Sequence, residues 1–412
     1  MSSRPWLTQY PAGVPAEIAM DGRTTLVDML ETAFHRYAQR DAAASMGSRL
    51  RFADMDRLSR DLGAWLQSLG LARGARVALM MPNLPQYMVA IAAVLRAGCV
   101  VVNVNPLYTP RELEHQLVDS GAEAIVVLEN FAGTLEEVID RTSVRHVVLA
   151  GMGDLLGFWK GPLVTFAVRH LRKLVPEFRL PQGDGRSVTR FNAACANGSS
   201  MNLRRVDLGP DDVAFLQYTG GTTGLSKGAT LLHRNVVANI LQTEAWFQPV
   251  LAKLGTTPMT IVCALPLYHI FALTICYLLG ARLGAMNVLI ANPRDIPGLV
   301  KTLSRHRVNM FPAVNTLFNA LANDPRSLDS IFQTSSSPTA EAWRCRRRRR
   351  NNGCGSRVAL SWKATACRRP HPSPHPTPST TQRSPGRSGY PYRLPKSPSV
   401  TTMVRRYLPD TR

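Results

Sequence analysis

The chain has no Cys-x-x-Cys pair. Its seven cysteines, at 99, 195, 263, 276, 345, 354 and 367, show no zinc-ligand spacing. That excludes a disulfide-stapled scaffold and a zinc ribbon, and fits reduced, mostly buried thiols of a cytoplasmic protein. The N-terminus, Met1-Ser2-Ser3-Arg4-Pro5-Trp6, lacks the basic-then-apolar layout of a secretory signal, and no repeat of solenoid length is visible. Long apolar runs are scarce as well. Ile261 to Ala281 is uncharged for 21 residues, but Pro266 and the Tyr268-His269 pair interrupt it. The expectation is a buried strand, a turn at Pro266 and a helix beginning near His269, not a membrane span.

Acidic residues are in short supply: 28 Asp/Glu face 49 Lys/Arg, a net charge of +21. Taken whole, that excess points to a polyanionic partner. Its distribution does not, because residues 334–412 hold seventeen Lys/Arg against two Asp/Glu, whereas the first 333 hold 32 against 26. The main body is only mildly basic. The tail carries an arginine run through Arg350, the alternating prolines Pro372, Pro374, Pro376 and Pro378, and eleven of the 29 prolines, so neither helices nor central strands can be built from it. It is expected to be a disordered, basic, Pro-rich segment. A nucleic-acid-binding tail and an arm for anionic lipid are two functional readings. No aromatic platform or recognition helix accompanies the arginines, so no specific nucleic acid is expected as partner.

Ahead of the tail the sequence alternates. Apolar residues at helical spacing occupy Thr25 to Tyr37 and Met55 to Leu69; short apolar strands are expected at Arg76 to Met80, Val100 to Val104, Ala124 to Leu128 and His146 to Ala150; helices are expected at Pro85 to Ala97 and Pro110 to Ser120. This spacing predicts βαβ units and an α/β body with parallel or mixed sheets and flanking helices. Residues 153–178 set Phe158, Trp159 and several leucines beside Arg169, His170, Arg172 and Lys173, a composition that suits either an interfacial helix in lipid headgroups or a surface helix packed on the body. Pro181 to Ser200 reads as a linker.

The richest local signal is Tyr218 to Gly228, Tyr-Thr-Gly-Gly-Thr-Thr-Gly-Leu-Ser-Lys-Gly, directly after the strand-like run Val213 to Gln217. Glycines let backbone N–H groups turn toward an anion, threonine and serine hydroxyls donate to phosphate oxygens, and Lys227 adds a point charge. The spacing is not that of a Walker A loop, since Lys227 follows Ser226 and precedes Gly228. A ligand-free surface turn is the plainer reading, against which eleven specified residues after a strand weigh heavily.

The loop resembles the signature of the adenylate-forming superfamily of AMP-binding enzymes, which includes acyl-CoA synthetases, luciferases and peptide-synthetase adenylation domains. Val77 to Asn83, Val101 to Tyr108 and Leu265 to Phe271 are similar to further landmarks of that family in the expected order, and over roughly residues 1–330 the chain most resembles bacterial long-chain fatty-acid–CoA ligases. The resemblance implies attack of a carboxylate on the α-phosphate of ATP, release of pyrophosphate, and displacement of AMP by the thiol of coenzyme A, with Mg²⁺ as the metal. Carried over residue by residue, Thr219, Gly220, Gly221, Thr222, Thr223, Gly224 and Lys227 would hold the phosphates and Thr223 would lie near Mg²⁺. His269 would steady the fatty carboxylate while Tyr268, Ile270 and Phe271 wall the acyl pocket, although a lone histidine in an apolar run is commonly a satisfied core residue. Medium-chain and aryl acids are the alternative substrates. A lipophilic substrate favours peripheral contact of residues 153–178 with the inner membrane.

The resemblance also implies elements that the sequence does not continue with. No Tyr-Gly-x-Thr-Glu follows Leu328; the chain reads Asp329-Ser330-Ile331-Phe332-Gln333-Thr334 and passes into Arg/Pro/Ser-rich text. Residues 331–412 are therefore expected to be out-of-frame translation, the N-terminal domain incomplete, the small C-terminal domain with its adenylation lysine absent, and the chain inactive or barely active.

Overall fold

The computed structural model describes residues 4–219 and 226–324. In chain order the strands are β1 (Asp41–Ser45), β2 (Ser48–Arg51), β3 (Arg76–Met80), β4 (Val100–Asn103), β5 (Ala124–Leu128), β6 (His146–Ala150), β7 (Ser187–Arg190), β8 (Val213–Thr219), β9 (Lys227–Leu232), β10 (Thr260–Cys263) and β11 (Met286–Leu289). Seven form one sheet in the order β7-β6-β5-β3-β4-β8-β9, and four form another in the order β10-β11-β1-β2. The larger sheet is parallel except for the β8–β9 hairpin. The smaller is parallel except for the β1–β2 hairpin. The α/β class with mixed sheets is thus as expected.

Side chains that alternate along the central strands feed two cores. Val77 and Leu79 enter a core shared with Ala42 and Ala43 of the smaller sheet and with helices α1 (Leu26–Arg36), α2 (Phe52–Ser68) and α3 (Pro85–Arg96). Ala78 and Met80 face the opposite side, where they meet Leu113 and Leu117 of α4 (Pro110–Ser120) and Leu135 of α5 (Ala132–Glu136). Every residue of α3 is buried, which accounts for its continuous apolar composition. Its one charge, Arg96, is matched by Glu31 of α1 at 3.0 Å and Asp56 of α2 at 2.9 Å. This ion pairing ties the three helices together without leaving a buried charge alone.

Local chemistry sets the helix ends. Thr25 and Asp28 form a reciprocal cap on α1, and Thr109 and Glu112 do the same for α4. The α4 helix stops at Gly121, whose left-handed φ of 61° and close approach to the Arg76 guanidinium leave no room for a side chain.

Several expectations need correction. Residues 181–200 are not a plain linker: β7 pairs with β6, and α7 (Phe191–Gly198) follows. This helix was hidden because it is short and built of small residues, which allow close packing; a side chain on Gly198 would meet the Asp61 carbonyl. The alternating charge of Ser-Arg-Leu-Arg concealed β2. Helix α8 (His233–Leu254) begins after Leu232, whose N–H donates to the Asn235 Oδ1 in the first turn at 3.0 Å. The run Ile261–Ala281 divides as expected into β10, a turn, and a helix that begins as α9 (Ile270–Ala272), widens into π turns over Leu273–Leu278 and closes as α10 (Leu279–Arg282). No helix among the described residues is long and apolar enough to cross a membrane.

His233 begins α8 and also serves α1, since its Nδ1 accepts the Leu26 N–H at 3.1 Å. Only a neutral ring can accept there, and burial pushes its pKa down from 6.5 to about 4. Below pH 6.5 the unfolded chain takes up a proton that the folded chain refuses, so this contribution is intact above 6.5 and is lost as pH falls toward 4. Urea titrations should show a loss of about 2 kcal/mol between pH 7 and pH 5 that is missing from His233→Gln. An identical pH slope in the two proteins would contradict the assignment.

Candidate nucleotide and acyl site

The glycine-rich segment is held by the β8–β9 hairpin, in which Thr219 pairs with Lys227 and Tyr218 with Gly228. Both Thr219 and Lys227 are exposed. Lys227 is the first residue of β9 and not a loop residue proper, so its ammonium starts from a fixed backbone. Gly220, Gly221, Thr222, Thr223 and Gly224, with Thr223 the expected Mg²⁺ contact, lie outside the described residues.

One helix grips both feet of this segment. At the entry, the Tyr218 hydroxyl donates to Asp119 near the end of α4; at the exit, the His115 Nε2 lies 3.0 Å from the Ser226 carbonyl and donates to it. Burial, followed by the hydrogen bond to Asp119, raises the Tyr218 pKa, which keeps the phenol protonated as the donor. Tyr108, just before α4, is half-buried, and burial raises its pKa. The Tyr218 ring lies so close to Gly228 that a Cβ there would stand 2.9 Å from its carbons. Gly228 is therefore required by contact and not by turn geometry.

A chain of side-chain amides runs inward from the same hairpin. The Tyr87 hydroxyl donates to Asn103 Oδ1 at 2.7 Å, Asn103 Nδ2 donates to Gln217 Oε1 at 3.0 Å, and Gln217 Nε2 donates to the Tyr268 carbonyl at 2.8 Å. The chain links β4 and β8 to the segment containing Tyr268 and His269. Asn83 fixes the preceding turn from its other side: its amide donates to the Cys263 and Leu265 carbonyls at 2.9 and 2.8 Å, and its Oδ1 accepts the Leu267 N–H at 2.8 Å. Buried amides satisfied in this way hold a backbone in one position.

His269 stands at the start of α9, where Nδ1 accepts the Phe271 N–H at 3.3 Å. That contact places the ring proton on Nε2, which becomes a donor suited to a carboxylate. The ring is exposed, yet enough protein surrounds it that desolvation lowers its pKa, so it remains neutral at neutral pH. Tyr268, Ile270 and Phe271 beside it are half-buried. No group of three His, Cys, Asp or Glu side chains among the described residues could hold a metal ion.

Asn83, Asn103 and Tyr108 stand inside the landmark runs with no role assigned from the sequence, which also leaves His115, Asp119 and Gln217 without one. For Gln217 a signal existed: one amide within the apolar strand Val-Ala-Phe-Leu-Gln is costly to bury without partners.

The model of the AMP-binding enzyme family matches residues 30–369, farther along the chain than residue 330, where the resemblance was expected to stop. The long-chain-fatty-acid–CoA ligase of Escherichia coli O157:H7 is 54% identical over 320 residues, covering 77% of this chain and 56% of that protein. The ligase of the same name from Yersinia pestis is 52% identical over 330 residues, covering 80% and 57%. This chain therefore spans just over half the length of these relatives. Among solved structures, the anthranilate CoA ligase AuaEII in complex with anthranoyl-AMP superposes with a TM-score of 0.59 at 19% identity, covering 77% of this chain and 54% of that one, a likeness of fold.

The hairpin geometry can be checked by coupling. Gly228→Val should cost about 2 kcal/mol in urea unfolding, because the new side chain enters the space of the Tyr218 ring. The same substitution in a Tyr218→Ala background should cost much less, since the obstruction is gone. Strict additivity would show that the two residues do not touch.

Proposed function

The chain belongs to the AMP-binding enzyme family, and on that premise we propose that its activity is ATP-dependent activation of a long-chain fatty acid, first to an acyl-adenylate and then to the coenzyme A thioester. The observation that carries this reading is the amide chain ending at the Tyr268 carbonyl, which joins the strand entering the phosphate segment to the segment bearing His269. Two reacting groups gain most from being held at a fixed separation, and a shared rigid support does that.

In this reading Thr219, Gly220, Gly221, Thr222, Thr223, Gly224 and Lys227 receive the polyphosphate of ATP, with Lys227 opposing charge that builds as pyrophosphate leaves. His269 donates from Nε2 to one oxygen of the fatty carboxylate and leaves the other free to attack. Tyr268, Ile270 and Phe271 supply apolar wall for the acyl chain. The described residues bring together no cluster of metal-ligating side chains, so Mg²⁺ is assigned only to Thr223 and no step is routed through it. Coenzyme A enters as co-substrate. The site belongs to the cytoplasm, and peripheral contact of residues 153–178 with the inner membrane is part of the same reading because a long-chain acid partitions into lipid.

Residues 331–412 are, in this proposal, out-of-frame text following an incomplete N-terminal domain, and the chain as given has little or no turnover. The match to the AMP-binding enzyme family extends through residue 369, which speaks against this part of the proposal. Translating the other two frames beyond codon 330 tests it, since one of them should supply Tyr-Gly-x-Thr-Glu. For the chain itself, nucleotide affinity should be millimolar at best, about 4 kcal/mol, and ATP–pyrophosphate exchange with palmitate should be undetectable. The frame-restored protein should exchange and should prefer palmitate over benzoate, and Lys227→Ala in it should cost about tenfold or more. Robust exchange by the present chain, abolished by Lys227→Ala, would overturn the inactive reading. A preference for benzoate would replace the fatty acid with an aryl acid.

A further inference from the structure

Helix α6 (Lys160–Phe166) and the π turn after it, Ala167–Leu171, are mounted inside out. At 100° per residue Gly161, Thr165 and Val168 share one face, and Trp159, Leu163, Phe166 and His170 share the opposite one. The small-residue face is inward: Gly161 and Val168 are buried, and Gly161 packs so closely on Gly153 that neither could carry a side chain. The large apolar residues are outward. Phe158 is 83% exposed, Trp159 81%, Leu163 68%, Phe166 56%, Leu171 72% and Leu174 53%. An ordinary surface helix shows the reverse arrangement, and this many large apolar residues left together in water marks an interaction surface.

The mounting is firm. Glu129 is fully buried and pairs with Arg169 from this segment and with Arg190 of β7. The Lys160 ammonium donates to the Met46 carbonyl in the β1–β2 turn, and the Asn130 amide donates to the Leu174 carbonyl at 2.9 Å. These contacts fix the polar and small residues on the protein side, so the outward aromatics cannot simply roll inward.

We propose that this face docks onto an anionic lipid bilayer. The choice of occupant rests on charge: Arg172 and Lys173, at the end of the apolar face, are exposed and make no ion pair among the described residues, and Glu177 is the one exposed acid in the segment. Aromatic rings with adjoining unpaired cations match a headgroup layer, where the rings sit at the interface and the cations meet lipid phosphates. A second copy of the chain fits less well, because a twofold contact through this face would bring the same cations against themselves. The inference deepens the proposed lipid substrate and rests on that reading for its purpose, not for its geometry.

Vesicle sedimentation tests it with the full chain and neither ATP nor fatty acid, so that failure of the ligase reading leaves the result untouched. The wild type should bind phosphatidylcholine vesicles containing phosphatidylglycerol far better than vesicles without it. Phe158→Ser with Trp159→Ser, and separately Arg172→Glu with Lys173→Glu, should each lower the partition coefficient by about tenfold. Urea midpoints confirm that both proteins fold, and the basic residues beyond 334 are present in every protein as a constant background. Brominated lipid should quench the wild type more than Trp159→Phe. Binding by both variants equal to that of the wild type would overturn the proposal, as would a dimer that the serine variant dissolves without any change in vesicle binding.

Discussion

The Gln217 amide is the contact on which the arrangement of the site depends. It accepts from Asn103 on the neighbouring parallel strand and donates to the Tyr268 carbonyl, so one side chain both fixes β8 in the larger sheet and fixes the segment that follows β10 of the smaller one. In a largely apolar interior an amide without partners costs about 1–3 kcal/mol. Only the register in which Asn103, Gln217 and Tyr268 meet avoids that penalty. The geometry of the β8–β9 hairpin and of His269 is then a consequence of the same requirement.

Helix α4 adds a second constraint from the opposite face of the sheet. Its Asp119 and His115 meet Tyr218 and Ser226, so the glycine-rich segment leaves and re-enters the sheet at two points set by one rigid helix. The same helix contributes Leu113 and Leu117 to the core beneath it, which ties the position of the hairpin to the packing of the sheet.

How far the sequence could be read follows from this physics. Strands β3 to β6 were legible because nearly every residue in them is buried and apolar, and α4 was legible from its Thr109, Pro110 and Gly121 boundaries. Strand β1, Asp-Ala-Ala-Ala-Ser, has no β-branched residue and no alternation, so nothing local marked it. The glycine-rich segment and His269 were singled out from composition and resemblance, but the groups packed around their described neighbours were not. Gln217 and Asn103 are 114 residues apart and His115 and Ser226 are 111 apart, and such pairings exist only once the sheet order has formed. The outward aromatics of α6 were visible as a composition, whereas their inverted mounting depends on the Gly153–Gly161 contact and could not be read from periodicity alone.

Hydrogen exchange in Gln217→Met tests the coupling most directly, because it needs neither substrate nor turnover. The substitution keeps the length of the side chain and removes both amide contacts. If Gln217 joins the two halves of the site, amides of Val213–Thr219 and of residues 265–272 should both exchange faster than in the wild type, while the fully buried helix α3 stays protected. Faster exchange confined to Val213–Thr219, with residues 265–272 unchanged, would contradict the account.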